Sequence, residues 1–252
     1  MALLHRDGVA IHYEVHGSGP TVLLSHGYGA TCRMWDGQIA AFRDRWKLIV
    51  WDMRGHGQSD SPADPAAYSE AATVGDMHAI LQACAVSRAV IGGLSLGGYM
   101  SLAFHLSHPD MVRALMLFDT GPGFRKDDAR ETWNARARGR GDELDTRGLA
   151  ALGASDEVRM SQHRSAAGLA GAARGMLTQR DDSVIRSLEN IRVPTLVLVG
   201  ANDTNFLAAT DYMAAKIPGA VKAVIPDAGH AANLHQPAAF SRAMEAFLTT
   251  IR

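Results

Sequence analysis

Charge of one sign, cysteine and long apolar runs are all scarce in this chain, and each shortage removes a class of function. Lys+Arg number 25 against Asp+Glu 26, a formal net charge of −1, so no excess charge suits nucleic acid or an anionic membrane surface. The two cysteines, Cys32 and Cys84, have no C-x-x-C partner, and so few in one chain read as free thiols rather than a disulfide framework. No apolar run reaches the roughly 20 residues needed to span a bilayer. The first residues, Met1-Ala2-Leu3-Leu4-His5-Arg6-Asp7-Gly8, lack the basic-then-apolar layout of a signal peptide, so the expected location is cytoplasmic. Histidine is plentiful at 11, yet neither H-E-x-x-H nor a Cys/His cluster at ligand spacing occurs; neither a metal nor a cofactor is expected. What remains as a partner is a small neutral molecule.

What is present is a rhythm. With 47% hydrophobic residues in 252, the chain can form one α/β domain with a large core and a modest insertion. The alternation Val9-Ala10-Ile11-His12-Tyr13-Glu14-Val15, preceded by Leu3-Leu4 and Asp7-Gly8, predicts an antiparallel hairpin over residues 2–16. Apolar runs then alternate with helix-period segments: strands over 21–25, 47–51, 88–92 and 112–118, with helices over 35–42, 70–84 and 97–107 between them. That βαβ repetition predicts a mostly parallel sheet with helices on both faces. The rhythm stops at Gly121-Pro122-Gly123 and resumes at Val193 with a strand over 193–199, a helix over 207–216, a strand over 221–225 and a closing helix over 237–250. The core is therefore expected over 1–121 and 191–252, and the stretch 122–190, rich in Arg, Ala and Gly, reads as several helices. Its glycines cost up to ~1 kcal/mol each inside a helix, which predicts the more mobile part of the molecule.

Gly93-Leu94-Ser95-Leu96-Gly97 follows the run Arg88-Ala89-Val90-Ile91-Gly92 and precedes a helix-like segment. A G-x-S-x-G pentapeptide at a strand-to-helix turn lifts the serine hydroxyl above the sheet, and its glycines let the backbone approach closely. Val193 to Gly200 runs into Ala201-Asn202-Asp203, and Ala223-Val224-Ile225-Pro226 into Asp227-Ala228-Gly229-His230. Ser95, Asp203 and His230 thus lie past the ends of three apolar runs, which meet on one edge of a parallel sheet. Asp119 and Asp227 are alternative acids, and His235 an alternative base. A serine hydroxyl becomes a useful nucleophile only when a base takes its proton, and a carboxylate behind an imidazole fixes its tautomer.

With His26-Gly27-Tyr28-Gly29 after the run Thr21 to Ser25, and Asp52-Met53-Arg54-Gly55-His56-Gly57-Gln58-Ser59-Asp60 after Lys47 to Trp51, the sequence resembles the α/β-hydrolase superfamily over nearly its whole length outside the insertion. The resemblance implies an α/β-hydrolase fold with residues 122–190 as a helical cap, a Ser95, Asp203, His230 triad, and an oxyanion hole made by the backbone N–H groups of Tyr28 and Leu96. It also implies that residues 52–60 brace the oxyanion loop rather than react. The expected activity is cleavage of a small carboxylic ester or lactone through an acyl-enzyme, in a closed pocket of roughly 300 to 1,000 Å³. The same triad serves C–C bond hydrolases and enol-lactonases of aromatic degradation, and relatives with an intact triad act as small-ligand receptors; these readings stay open. His163 is read as a solvated cap residue, and Arg136, Arg138 and Arg140 as a solvated loop. The substrate itself is not encoded legibly, and a homo-oligomer is compatible with everything above.

Overall fold

Eight strands form one sheet in the order β1-β2-β4-β3-β5-β6-β7-β8, antiparallel at the β1, β2 end and parallel from β4 onward. The computed structural model describes residues 2–251. The hairpin β1 (Ala2–Arg6) and β2 (Val9–His16) leads into β3 (Thr21–Ser25), α1 (Asp36–Phe42), β4 (Lys47–Trp51), α2 (Glu70–Ala83), β5 (Ala89–Leu94), α3 (Leu96–Ser107) and β6 (Val112–Phe118). The helical insertion follows, with α4 (Asp127–Arg147), α5 (Asp156–Arg159), α6 (Ala166–Gly175) and α7 (Ser183–Ser187). The chain closes with β7 (Thr195–Gly200), α8 (Leu207–Lys216), β8 (Val221–Ile225), α9 (Ala232–His235) and α10 (Pro237–Leu248).

The unbroken apolar runs make sense because both faces of the sheet are covered. Successive side chains alternate between two cores. Leu23, Ile49, Trp51, Ile91, Leu115, Leu117 and Val197 face one core, where Val74, Met77 and Ile80 of α2 and Met100 and Phe104 of α3 meet them. Val22, Leu24, Leu48, Val50, Val90, Met116, Phe118, Leu196 and Leu198 face the other, against Ile39 and Phe42 of α1 and Phe240, Met244 and Phe247 of α10. Each large side chain so buried contributes about 1.5–3 kcal/mol. Among the described residues, no helix is long and apolar enough to cross a membrane.

The element boundaries follow local chemistry. Ser69 caps α2 by accepting the Ala72 N–H at 3.0 Å, and Pro237 starts α10, where a missing N–H costs nothing. Where 193–199 read as strand, the ladder begins at Thr195, past the ring of Pro194, which has no N–H to give. Residues 136–140, expected as a loop, are instead interior to α4, because its Ala, Arg and Glu content outweighs Gly139 and Gly141.

The contrast between two helical glycines is testable. A Cβ on Gly97 would stand 2.2 Å from the Ser25 carbonyl oxygen, whereas one on Gly139 would meet nothing within 4 Å. Gly97→Ala is expected to cost about 1–3 kcal/mol through that clash, and Gly139→Ala to gain about 0.5–1 kcal/mol from helix propensity. Thermal melts check both, with about 2–4 °C expected per kcal/mol at this chain length.

Candidate active site

The C-terminal ends of β3, β5, β6, β7 and β8 deliver His26, Ser95, Asp119, Asp203 and His230 to one edge of the sheet. Ser95 has φ 55° and ψ −116°, a left-handed backbone that a side chain adopts only under constraint. The constraint is visible on every side. Ser95 N–H donates to Phe118 O at 2.9 Å, Thr120 Oγ1 donates to Ser95 O at 2.6 Å, and Gly98 and Tyr99 N–H donate to Ser95 O at 3.0 and 3.1 Å. A Cβ on Gly93 would lie 2.4 Å from the Gly97 carbonyl carbon, so the turn closes only with glycine there. Leu96 is the first residue of α3, and an N–H in that position has no carbonyl one turn back. Gly27 lies against the serine: its own Cβ, if present, would stand 3.4 Å from Ser95 Cβ. The next residues form a turn, with Ala30 N–H on Gly27 O at 3.1 Å and Gly29 at φ 76°. Tyr28 is in the middle of that turn, and its hydroxyl donates to Leu169 O of α6 at 2.9 Å.

Asp203 and His230 come together from loops that share backbone bonds. Asn202 N–H donates to Ala228 O and Ala201 N–H to Ile225 O, both at 2.8 Å. His230 Nδ1 meets Asp203 Oδ2 at 2.7 Å, so Nδ1 carries the proton toward the carboxylate and Nε2 is left as the basic nitrogen. Phe206 stacks on the imidazole with centroids 5.1 Å apart. Burial pulls the His230 pKa down, but the Asp203 hydrogen bond and charge outweigh it and hold the pKa above 6.5.

The rival residues have other occupations. Asp119, fully buried with φ 45°, accepts the Gly200 N–H on Oδ1 at 2.8 Å and leaves Oδ2 without a partner. Burial, reinforced by the nearby Asp203 charge, pushes its carboxyl up to about 8 against the pull of the Gly200 N–H and His230. Asp227 is an exposed turn residue at φ 55°. His235 Nδ1 accepts the Gly229 N–H at 2.8 Å while Nε2 faces Asp156 at 3.4 Å, which makes it a support of the His230 loop.

Residues 52–60 form the expected brace. Asp52 accepts Cys32 N–H at 2.8 Å, Gln58 N–H at 2.9 Å and His12 Nδ1 at 3.2 Å. Burial alone would raise its pKa, but the His12 bond, the nearby His26 and those backbone donors hold it far below the usual range. His26 Nε2 accepts the Met53 N–H at 2.9 Å, which ties the two loops. His12, Glu14 and Cys32 place ligand-type atoms within 4.8 Å of one another. The donor set fits a metal poorly. Glu14 is engaged with His16 at 2.9 Å and His12 Nδ1 with Asp52 at 3.2 Å, so two of the three donors already have partners.

The sequence profile of the alpha/beta hydrolase fold matches residues 20–147, just over half of the chain. The chain belongs to the alpha/beta hydrolase family. It is 28% identical to 3-oxoadipate enol-lactonase 2 of Acinetobacter baylyi, over 97% of this chain and 95% of that protein. It is also 28% identical, over 97% of both chains, to a Bacillus subtilis protein that carries the provisional name 2-succinyl-6-hydroxy-2,4-cyclohexadiene-1-carboxylate synthase. A malate-bound esterase from Thermogutta terrifontis superposes with a TM-score of 0.83 at 27% identity, covering 99% of this chain and 97% of that one. Relatives of this kind mark the protein as an enzyme, a hydrolase of the alpha/beta family.

Two residues of this hydrolase escape sequence reasoning. His163, read as solvated, is half-buried and hydrogen-bonded through both ring nitrogens, to Gly57 and Gly29. Phe206 gave no signal because its stacking depends on how the β7 and β8 loops cross. Two hollows, of about 260 Å³ and 380 Å³, open along α4; their walls contain Trp133, Arg140 and Leu177 in one and Glu70, Arg174 and Arg180 in the other, but none of Ser95, Asp203 or His230.

Two titrations test the electrostatics. The His230 pKa should lie above the ordinary histidine value by NMR and fall in Asp203→Asn, because burial still lowers it while the Asp203 hydrogen bond and charge that raise it are lost. Folded Asp119 keeps its proton up to about pH 8 while the unfolded chain loses it near 3.8, so this group lowers stability as pH rises between those values. Asp119→Asn should therefore flatten that slope, read as the denaturant midpoint at pH 5 against pH 8.

Proposed function

We propose that the protein is a serine hydrolase that cleaves a small carboxylic ester or lactone through an acyl-enzyme. The observation that carries this reading is the 2.7 Å bond between His230 Nδ1 and Asp203 on the same sheet edge as the strained Ser95 elbow. Ser95 Oγ attacks the carbonyl carbon as His230 Nε2 takes its proton, and Asp203 stabilises the imidazolium. The backbone N–H groups of Tyr28 and Leu96 donate to the oxyanion; a donor of this kind is worth about 3 to 4 kcal/mol elsewhere. The imidazolium returns the proton to the leaving oxygen as the tetrahedral centre collapses. A water, deprotonated by the same nitrogen, then attacks the acyl carbon, and as the second tetrahedral centre collapses the imidazolium returns that proton to Ser95 Oγ, which frees the serine and the acid.

In this reading the insertion over 122–190 is a cap that admits small acyl groups, and the neutral overall charge suits a small-molecule partner. The enol-lactonase and esterase relatives support a lactone or ester substrate. Nitrophenyl esters of graded acyl length, assayed beside lactones and a dienoic diketone, test the proposal. We expect kcat/KM to be highest for acyl chains of about two to six carbons, since a closed pocket rejects added methylenes. Preferred turnover of the diketone would move the reading to C–C cleavage, and tight binding without turnover to a receptor. Ser95→Ala should lower kcat by about 10⁴ to 10⁶ with the fold intact. Asp203→Asn should cost about 10⁴ and Asp119→Asn much less; the reverse order would transfer the acid to Asp119.

A further inference from the structure

The segment between α5 and α6 reaches out of the insertion and grips the turn that carries Tyr28. Gly57 N–H donates to His163 Nδ1 at 3.2 Å, so that nitrogen holds a lone pair. The proton is then on Nε2, which donates to Gly29 O at 2.9 Å. One imidazole in one tautomer thus spans the oxyanion turn and the 52–60 brace. Six residues on, Leu169 O takes the Tyr28 hydroxyl, which anchors the same turn from its other side. The surroundings keep the ring neutral: desolvation lowers its pKa, and it packs edge-on against His56 with centroids 5.8 Å apart. His56 in turn contacts His26 at 4.9 Å and Tyr28 at 5.5 Å. His56 Nδ1 donates to Arg54 O at 3.1 Å, and burial with the neighbouring imidazoles holds its pKa well below 6.5, so no charge opposes the arrangement.

The geometry points to His163 as a positioning residue of the hydrolase: by bolting Gly29 O to Gly57 N–H it fixes the direction of the Tyr28 N–H at the oxyanion. This rests on the serine-hydrolase reading above. His163 touches the Gly29–Ala30 peptide of the turn, two peptides on from the one that carries the Tyr28 N–H, rather than the substrate, so its loss should loosen the transition-state contact and leave ground-state binding nearly intact. Removing an oxyanion donor outright costs about 10²–10³ in kcat, so loosening one should cost about 10- to 100-fold.

The experiment uses the full chain and three variants. In His163→Ala, kcat should fall about 10- to 100-fold with KM within about threefold, and a boronic acid that mimics the tetrahedral adduct should weaken by the same factor as kcat. In His163→Gln, which keeps a donor within reach of Gly29 O, most of that loss should be recovered, whereas His163→Asn, which keeps only the acceptor for Gly57 N–H, should remain impaired. If His163→Ala does not fold, the comparison of Gln with Asn decides, and equal or reversed activities overturn the proposal. A kcat within about twofold of the parent in His163→Ala, or parallel changes in KM and boronate-independent kcat that Gln does not rescue, also overturns it. A fluorophosphonate probe separates the two failures. Labelling of Ser95 in the parent with normal kcat in His163→Ala defeats the positioning role alone, and no labelling in the parent defeats the serine-hydrolase reading and this proposal with it.

Discussion

The crowding of backbone at the end of β5 is the constraint on which the rest depends. Ser95 takes a left-handed conformation that costs on the order of 1–3 kcal/mol. It persists because Phe118, Thr120 and the first turn of α3 bond its peptide groups from three directions. That crowding reaches β3 as well. Gly97 approaches the Ser25 carbonyl too closely for any side chain, and Ser25 pairs with Gly93 in the parallel ladder. The serine, the glycine-rich turn after β3 and the start of α3 are therefore packed against one another through backbone.

Around that unit, buried carboxylates are handled in contrasting ways. Asp52 is surrounded by donors and stays ionised, and Asp76 is locked into a bidentate pair with Arg54 at 2.7 and 2.8 Å. Asp119 receives one backbone donor and is pushed toward its neutral form, next to an Asp203 that has an imidazole to itself. The difference follows from partner supply: His230 pairs with Asp203, whereas burial pushes the Asp119 carboxyl toward its neutral form.

The insertion is joined to the sheet edge by specific bonds as well as by packing. His163 and Arg164 reach Gly29, Gly57 and Ser59, Tyr28 reaches Leu169, and His235 stands between Gly229 and Asp156 of α5. Each such contact is worth about 0.5–1.5 kcal/mol, small enough to exchange and directional enough to set the geometry of the loops beneath.

Most of the fold was legible in the chain because its signals are local. The hairpin at 2–16, the strands at 21–25, 47–51, 112–118 and 221–225, and the helix at 207–216 fall where the apolar periodicity puts them. The pentapeptide around Ser95 announced its turn through glycines that only a tight approach requires. Ser95, Asp203 and His230 were readable as residues past three strand ends, since a parallel sheet gathers those ends on one edge. Tertiary structure alone shows which of Asp203 and Asp119 meets the imidazole, because both follow a strand and only the crossing of the β7 and β8 loops gives one of them His230 as a partner. It alone also gave His163 its place: the residue lies in an irregular segment, and its partners at Gly29 and Gly57 are 134 and 106 positions away. No local pattern encodes a contact at that separation, since it exists only once the insertion has folded back over the strands.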